Sequence, residues 1–401
     1  MNAMARRLLM VMMTAALATA WAAAEEEDRA VARISLVEGD VSVRLGEAGE
    51  WVAAAVNAPM VVEDALSTGA RARAEIQLDW ANLARLGGDT EVRLAELENE
   101  RYILQLARGL VTYRVLRDSP ADVEISTPVV SVRPAAAGAY RIFVRDDGVV
   151  EVTVRSGMAE VYTPTGSERL RAGQTMIARG TASYPEFKIA AAVAPDAWDR
   201  WNEERDRFFE RSQAYQYVDR SIYGAEDLDS YGSWIYVDPY GWVWAPAVDV
   251  GWAPYYNGRW VWMDWYGWNW VSYDPWGWAP YHYGRWFFHG NRWCWWPGAF
   301  GVRHAWSPGL VAFVGWGGWN GMSVGAGFGQ IGWIPLAPYE PYYPWYGRGY
   351  YGGYRGGVTP PVQVAVAVDV AATYRNARVA NAIIGVDAGM FGRGGRVQHL
   401  R

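Results

Sequence analysis

The sequence predicts a mainly β protein, built from two unlike halves with a single helix between them. Three observations carry this. From about Arg33 to Gly180, apolar residues recur at every second position in short runs separated by turns. One segment, "PDAWDRWNEERDRFFERSQ", carries a helical spacing. Beyond it, the phrase "GWAPYYNGRW" (Gly251 to Trp260) returns as "GWAPYHYGRW" (Gly277 to Trp286), with eight of ten letters shared at an offset of 26 residues. Repeats at a fixed period decide architecture before any single element does.

The first 24 residues stand apart from the fold. Arg6 and Arg7 precede an uncharged apolar stretch, Leu8 to Ala18, and Ala22 and Ala24 precede Glu25. This is the pattern of a secretory signal peptide cleaved after Ala24. The stretch is shorter than the about 20 apolar residues that span a bilayer. No cysteine adjoins the cleavage site to signal a lipid anchor. Later apolar runs are broken by charge, Gly or Pro, so no transmembrane segment is expected in the mature chain. A periplasmic or extracellular location follows. The one cysteine, Cys294, excludes an intrachain disulfide, which leaves stability to core packing.

Residues 33–180 read as an all-β domain, a β-sandwich or a solenoid-like stack. Ile34, Leu36 and then Val41, Val43 and Leu45 alternate on either side of Glu38-Gly39-Asp40. "RARAEIQL", "TEVRLAEL" and "RYILQLARGLVTYRV" continue the pattern. "YRIFVRDDGVVEVTV" places two alternating runs around Asp146-Asp147-Gly148, a hairpin signal. A connector helix is expected over residues 195–214, begun by Pro195 and Asp196. Trp198, Trp201, Phe208 and Phe209 share its apolar face, and Arg200, Glu203, Glu204, Arg207 and Glu210 fall elsewhere, as expected of a helix packed on a neighbouring domain.

The aromatic repeat occupies residues 225–345. Each copy reads aromatic-x-aromatic, five residues, aromatic-x-aromatic, and the gaps are "VDPYG", "MDWYG" and "HGNRW". Folding each gap into a hairpin pairs Trp234 with Trp244, Tyr236 with Trp242, Trp260 with Trp270 and Trp262 with Trp268. The third copy then pairs Trp286 with Trp296 and Phe288 with Cys294. Residues two apart share a sheet face, so each hairpin carries an aromatic cluster on one side. Ile235, Val243, Val261 and Val271 make the other side apolar as well, which favours stacking into a core. Twenty of the 25 tryptophans lie between residues 234 and 345. The set Trp234, Trp244, Trp260, Trp270, Trp286 and Trp296 is therefore also the candidate exposed aromatic surface, for a protein or a glycan. Residues 346–401 read as a Gly-rich linker and a flexible C-terminal tail.

The formal charge is −6. An acidic, exported chain gives no support to nucleic-acid binding, even with "YGRGYYGGYRGG" in the tail. Catalytic, cofactor and metal sites are not expected. "GMSVG" around Ser323 fits a nucleophile-elbow pattern, but its glycine-rich flanks cannot supply the helix that the elbow needs. His282, His289, Cys294 and His304 invite a zinc reading. However, His282 and Cys294 stand where Tyr256 and Trp268 stand in the preceding copy, which makes them scaffold positions.

Residues 33–180 resemble the FecR domain of bacterial envelope proteins, through "VEGDVSVR", "STGARARAEIQL", "LARGLVTYRV", "ISTPVVSVRP", "VEVTVRSGMAEVY" and "LRAGQTMIA" in that order. In iron-uptake regulators such a domain relays receptor status to a sigma factor. This sequence shows no anti-sigma segment before it, so that role is not carried over, and Ala139 stands where the family usually has Thr. The later region resembles a Trp/Tyr/Pro-rich domain of unknown function, family 6600, through "DLDSYGSW", "YGWVWAP", "GWIPLAPYEPYYPWY" and "YRNARVANAI". Together these resemblances imply an exported, non-enzymatic cell-envelope protein, a sensing or protein-interaction module joined to an aromatic scaffold. The alternative is a module binding peptidoglycan or exopolysaccharide. An envelope protein or a cell-wall glycan is the expected class of partner.

Overall fold

The computed structural model describes residues 30–264, 266–316, 322–323, 330–342, 370–393 and 397–399. The expected signal peptide and the Gly/Tyr/Arg run lie outside the described residues. The first half is all β. Its strands are β1 (Ala32–Glu38), β2 (Val41–Arg44), β3 (Trp51–Ala53), β4 (Pro59–Met60), β5 (Ala65–Thr68), β6 (Arg73–Gln77), β7 (Asn82–Leu86), β8 (Glu91–Glu98) and β9 (Arg101–Val115). They continue as β10 (Asp122–Ser126), β11 (Ser131–Pro134), β12 (Gly138–Val144), β13 (Val150–Ser156), β14 (Met158–Thr163), β15 (Gly166–Arg171), β16 (Gln174–Thr181) and β17 (Tyr184–Ala191).

Two sheets share one strand. The first sheet runs β3-β2-β5-β8-β9-β10-β11-β14-β15, with only β9–β10 parallel. The second runs β4-β1-β6-β7-β9-β12-β13-β16-β17. Strand β9 pairs through residues 101–108 in the first and through residues 109–115 in the second. It changes sheets at Gly109, where φ is +88° and a Cβ would lie 2.4 Å from Thr90. Glycine inside a strand marks such bends. The turn at Gly39 likewise carries the chain between sheets, since β1 and β2 do not pair. Inward-facing residues of both sheets, among them Val43, Leu66, Leu104, Ile142, Val152 and Met176, form one core.

Helix α1 (Ala197–Arg211) begins at Asp196 with a reciprocal capping box to Asp199. Arg200, Glu203, Glu204, Arg207 and Glu210 are exposed as the spacing predicts. The face against the second sheet is less apolar than the spacing suggests. Trp198 and Phe209 are buried there together with Asp199 and Asn202, and Trp198 Nε1 donates to Thr112 Oγ1 at 2.8 Å.

The second half contains β18 (Gly232–Val237), β19 (Gly241–Pro246), β20 (Gly258–Met263), β21 (Gly267–Ser272), β22 (Arg285–His289) and β23 (Arg292–Trp296). The remaining strands are β24 (Val311–Trp316), β25 (Met322–Ser323), β26 (Gln330–Pro335), β27 (Ile384–Asp387) and β28 (Gln398–His399). The first and third repeats join as a sheet ordered β18-β19-β23-β22, the second stands as the hairpin β20-β21, and the last strands form a sheet ordered β25-β24-β26-β27-β28. Strand β27 and the buried Phe391 bring the C-terminal segment into the aromatic core. That core also takes Val31, Val61 and Trp80 from the first half.

The pairings expected in the first two repeats are those observed: Trp234 with Trp244, Tyr236 with Trp242, Trp260 with Trp270, and Trp262 with Trp268. The third repeat corrects the expectation. Trp286 pairs with Trp295, Phe287 with Cys294 and Phe288 with Trp293. The cause is the turn. The first two loops hold three residues and close on Gly241 and Gly267, at φ +80° and +75°. The third holds two, Gly290 and Asn291, at φ +56° and +62°, the type I′ geometry favoured by such residues. One loop residue fewer slips the return strand by one and exchanges its faces.

The repeated glycine that opens each copy now has a reason. A Cβ on Gly232 would lie 2.5 Å from the Trp244 indole, one on Gly258 2.5 Å from that of Trp270, and one on Gly284 2.7 Å from that of Trp295. The glycine leaves the slot into which a neighbouring indole lies.

Candidate functional site

Two places in the molecule combine polar chemistry with defined geometry: the junction between the halves and a cleft beside the third hairpin. The junction begins on the outer face of the second sheet. Glu75 on β6 and Arg85 on β7 are fully buried and paired at 2.7 Å. Helix α1 supplies Arg205, 2.5 Å from Glu75, and Asp206, 2.7 Å from both Arg85 and Arg114. Asp199 joins Arg141 and Arg155 at 2.8 and 2.7 Å. Burial pushes the Glu75 carboxyl up, but the Arg205 and Arg85 guanidiniums outweigh it and hold it at about 2.

A second set ties the same sheet to the turn Ala225–Ser230. Arg33 pairs with Asp227, and Gln77 donates to Glu226, which also accepts from Tyr215 Oη at 2.7 Å. Asn57 Nδ2 donates to the Asp274 carbonyl at 2.8 Å. Burial raises the Glu226 carboxyl above its ordinary range, and the neighbouring Asp227 adds to this. Sequence patterning missed these groups because it assigns polar positions on a strand or helix to solvent. The signal that could have found them is the series Asp199, Asn202, Arg205 and Asp206, which follows the helical spacing of Trp198 and Phe209.

The six tryptophans of the candidate exposed surface are not an exposed platform. Trp244, Trp260, Trp270 and Trp286 are buried in the aromatic core, and Trp234 and Trp296 are half-buried. Away from the hairpin tips, both faces of the hairpins are largely covered. Trp260 and Trp270 meet edge to face at 5.3 Å, and Trp234 stacks on Tyr217 at 4.6 Å. Aromatic exposure falls instead on Tyr236 (68%) and Trp242 (47%) at the tip of the first hairpin.

Trp296 is displaced by the register slip to the opposite face of its sheet. There it lines a cleft of about 440 Å³ with Tyr283, Arg285, His304, Tyr339 and Glu340. Its Nε1 donates to the Tyr240 carbonyl at 3.1 Å, and its ring lies 5.2 Å from that of Tyr339. Tyr339 is 68% exposed and adopts φ +70°, a left-handed conformation that costs a bulky side chain free energy. Arg285 donates to the carbonyls of Gly284 at 2.8 Å and Glu340 at 3.3 Å. Both oxygens of Glu340 are engaged by backbone N–H groups, of Ala337 and Arg375, each at 2.8 Å.

The remaining candidates are dispersed. His282 is buried, shares a 2.8 Å hydrogen bond between Nδ1 and the Ser307 carbonyl, and is held neutral by burial at about 3. Cys294 is buried opposite Phe287, and burial pushes its thiol up to about 11. His289 closes the third hairpin, and His304 Nε2 lies 3.0 Å from the Ala299 carbonyl. Among the described residues no three His, Cys, Asp or Glu side chains are grouped to hold a metal ion. Ser323 lies in a two-residue strand paired with β24, and the flanks 317–321 and 324–329 fall outside the described residues. No described helix is long and apolar enough to cross a membrane.

Comparison with known proteins divides the chain at the same junction. The family described as FecR protein matches residues 64–160, and the family of unknown function DUF6600 matches residues 225–340. Both matches are narrower than the resemblances read from the sequence. The β domain continues on either side of the first, and α1 and β27 lie outside the second. No curated protein matches. Two crystal structures from Parabacteroides distasonis, each described as a "putative anti-sigma factor", are similar to part of the chain. One is 20% identical over 32% of this chain and 60% of its own length, with a TM-score of 0.29. The other is 16% identical over 39% of this chain and 76% of its own, with a TM-score of 0.30. In chain order, then, residues 64–160 match the FecR family and residues 225–340 match the family DUF6600.

Proposed function

We propose that the protein is exported and acts in the cell envelope as a non-enzymatic sensing or protein-interaction module, its FecR domain joined to an aromatic scaffold. The carrying observation is the junction. Glu75, Arg85, Arg205 and Asp206 form an ion network that needs both the sheet and α1 to be complete, and Arg33–Asp227 extends it to the DUF6600 domain. Export is supported by the signal-peptide pattern of residues 1–24. A non-enzymatic role is supported by the fate of the perturbed groups. Glu75, Glu226 and His282 are tied to structural partners inside the packed molecule.

Cell fractionation with N-terminal sequencing tests the first part. The mature chain should begin at Glu25 and lie outside the cytoplasm, and a retained Met1 in the cytoplasmic fraction would overturn it. Pull-downs of the mature chain against purified peptidoglycan and against solubilised envelope proteins test the second. Capture of one defined envelope protein supports the interaction reading, and retention on peptidoglycan alone replaces it with glycan binding.

A further inference from the structure

The cleft beside the third hairpin belongs to neither the junction nor the buried hairpin core. Its walls are Tyr283, Trp296 and Tyr339, and its charged residues are Arg285 and Glu340, with His304 at one side. Two of these residues are placed to meet a ligand. Tyr339 keeps a left-handed backbone while most of its ring faces solvent. The turn Ala337–Glu340, closed by the Glu340 N–H on the Ala337 carbonyl at 3.1 Å with Pro338 before Tyr339, sets that backbone and presents the ring at the cleft.

Arg285 is the second. It is half-buried and makes no ion pair among the described residues; Nη1 and Nη2 each donate to a main-chain carbonyl, and the Nε–H is enclosed without an acceptor. The nearby carboxylate of Glu340 is taken up by backbone N–H groups and does not pair with it. A partly desolvated guanidinium without a carboxylate keeps charge to pair, through the second N–H of Nη1 and of Nη2. The flanking rings of Trp296 and Tyr339 stand 5.2 Å apart, centroid to centroid, at 51°. They offer an apolar face of the kind that covers the C–H side of a pyranose.

From this we propose that the cleft binds a sugar ring that carries a carboxylate, with Arg285 taking the carboxylate and Trp296 and Tyr339 covering the ring. The inference goes beyond the protein-interaction reading and does not depend on it. The same chemistry occurs in uronic acids and in the lactyl ether of muramic acid, so both are tested.

Titration calorimetry on the mature full chain would use galacturonic acid tetramer, the N-acetylglucosamine–N-acetylmuramic acid disaccharide and a neutral galactose tetramer. One of the two acidic ligands should bind about tenfold or more tightly than the neutral one. Tyr339→Gly should weaken that ligand by about tenfold, the scale expected for losing an aromatic anchor, while the melting temperature stays level or rises, because glycine accepts the left-handed backbone. Arg285→Gln should remove the preference for acid. Equal binding of acidic and neutral oligomers overturns the proposal. So does absence of binding to both acidic ligands, or an affinity that Tyr339→Gly leaves unchanged.

Discussion

At the scale of single residues, two buried carboxylates pull the pH dependence of stability in opposite directions. Glu75 is held at about 2, below the ordinary 4.5, so its contribution is present above pH 4.5 and is lost as pH falls toward 2. Asp64 accepts from the Gly46 and Val61 amides at 2.7 and 2.8 Å, yet burial pushes it up to about 6. Its contribution is therefore present below 3.8 and is lost as pH rises through 6. Urea denaturation across this range should show Glu75→Gln flattening the acid limb and Asp64→Asn flattening the limb up to 6. Glu75→Gln should also cost about 3–5 kcal/mol at neutral pH, because it leaves Arg205 without a carboxylate and Arg85 with Asp206 alone. Asn269 illustrates the opposite economy. It is fully buried in β21 with no partner for its amide among the described residues, at the position that Val243 fills in the first repeat. Asn269→Val should raise stability by about 1–3 kcal/mol, and an unchanged or lower melting temperature would refute this.

At the scale of elements, the repeat was legible where the pairing followed from period two alone. Trp260 and Trp270 could be paired from letters because a three-residue loop and a following glycine preserve the spacing of the first copy. The third copy was misread because "HGNRW" has the same length as its counterparts but hides a two-residue Gly290–Asn291 turn. Its chemistry, two adjacent residues that tolerate positive φ, was the available signal. Helix α1 was legible in extent and outer face, but its inner face was not, since polar residues are assigned to water unless their spacing is set against that of Trp198 and Phe209. The cleft was illegible for a different reason. It joins Arg285 and Trp296 to Tyr339, and that juxtaposition is tertiary. The hairpins yield a direct test. Trp260→Ala and Trp270→Ala should each cost about 3–5 kcal/mol, and the double variant less than the sum, because the rings touch. Trp242→Ala, at the exposed tip, should change stability by about 0.5 kcal/mol or less. Thermal melts of the four variants would show the contrast, and a Trp260→Ala effect as small as that of Trp242→Ala would refute a packed core.

At the scale of the whole molecule, the boundary between the matched domains is not a boundary in packing. Val31, Val61 and Trp80 enter the aromatic core, and the ion network crosses from β6 and β7 into α1. Calorimetry of the mature chain should therefore show one unfolding transition, with both halves lost together. Two well-separated transitions would show that the junction does not couple them. A chain ended after β17 would leave Glu75 and Arg85 without Arg205 and Asp206, and it should melt below the full-length protein.

Because the third hairpin turns on two residues where the others turn on three, the copies are no longer interchangeable parts. In the first two, the last tryptophan of the phrase is spent inside; in the third, its neighbour Trp295 takes the interior place and Trp296 is released to the rim. A duplicated phrase has thereby acquired an address. Replacing Gly290–Trp293 with the "DPYG" of the first copy, at unchanged length, would restore the symmetry of the series and return Trp296 to the interior, removing the aromatic wall that faces Tyr339. Individuality among the copies rests on one residue moved from loop to strand, which is also the shortest route by which a stack of identical hairpins could come to hold something other than itself.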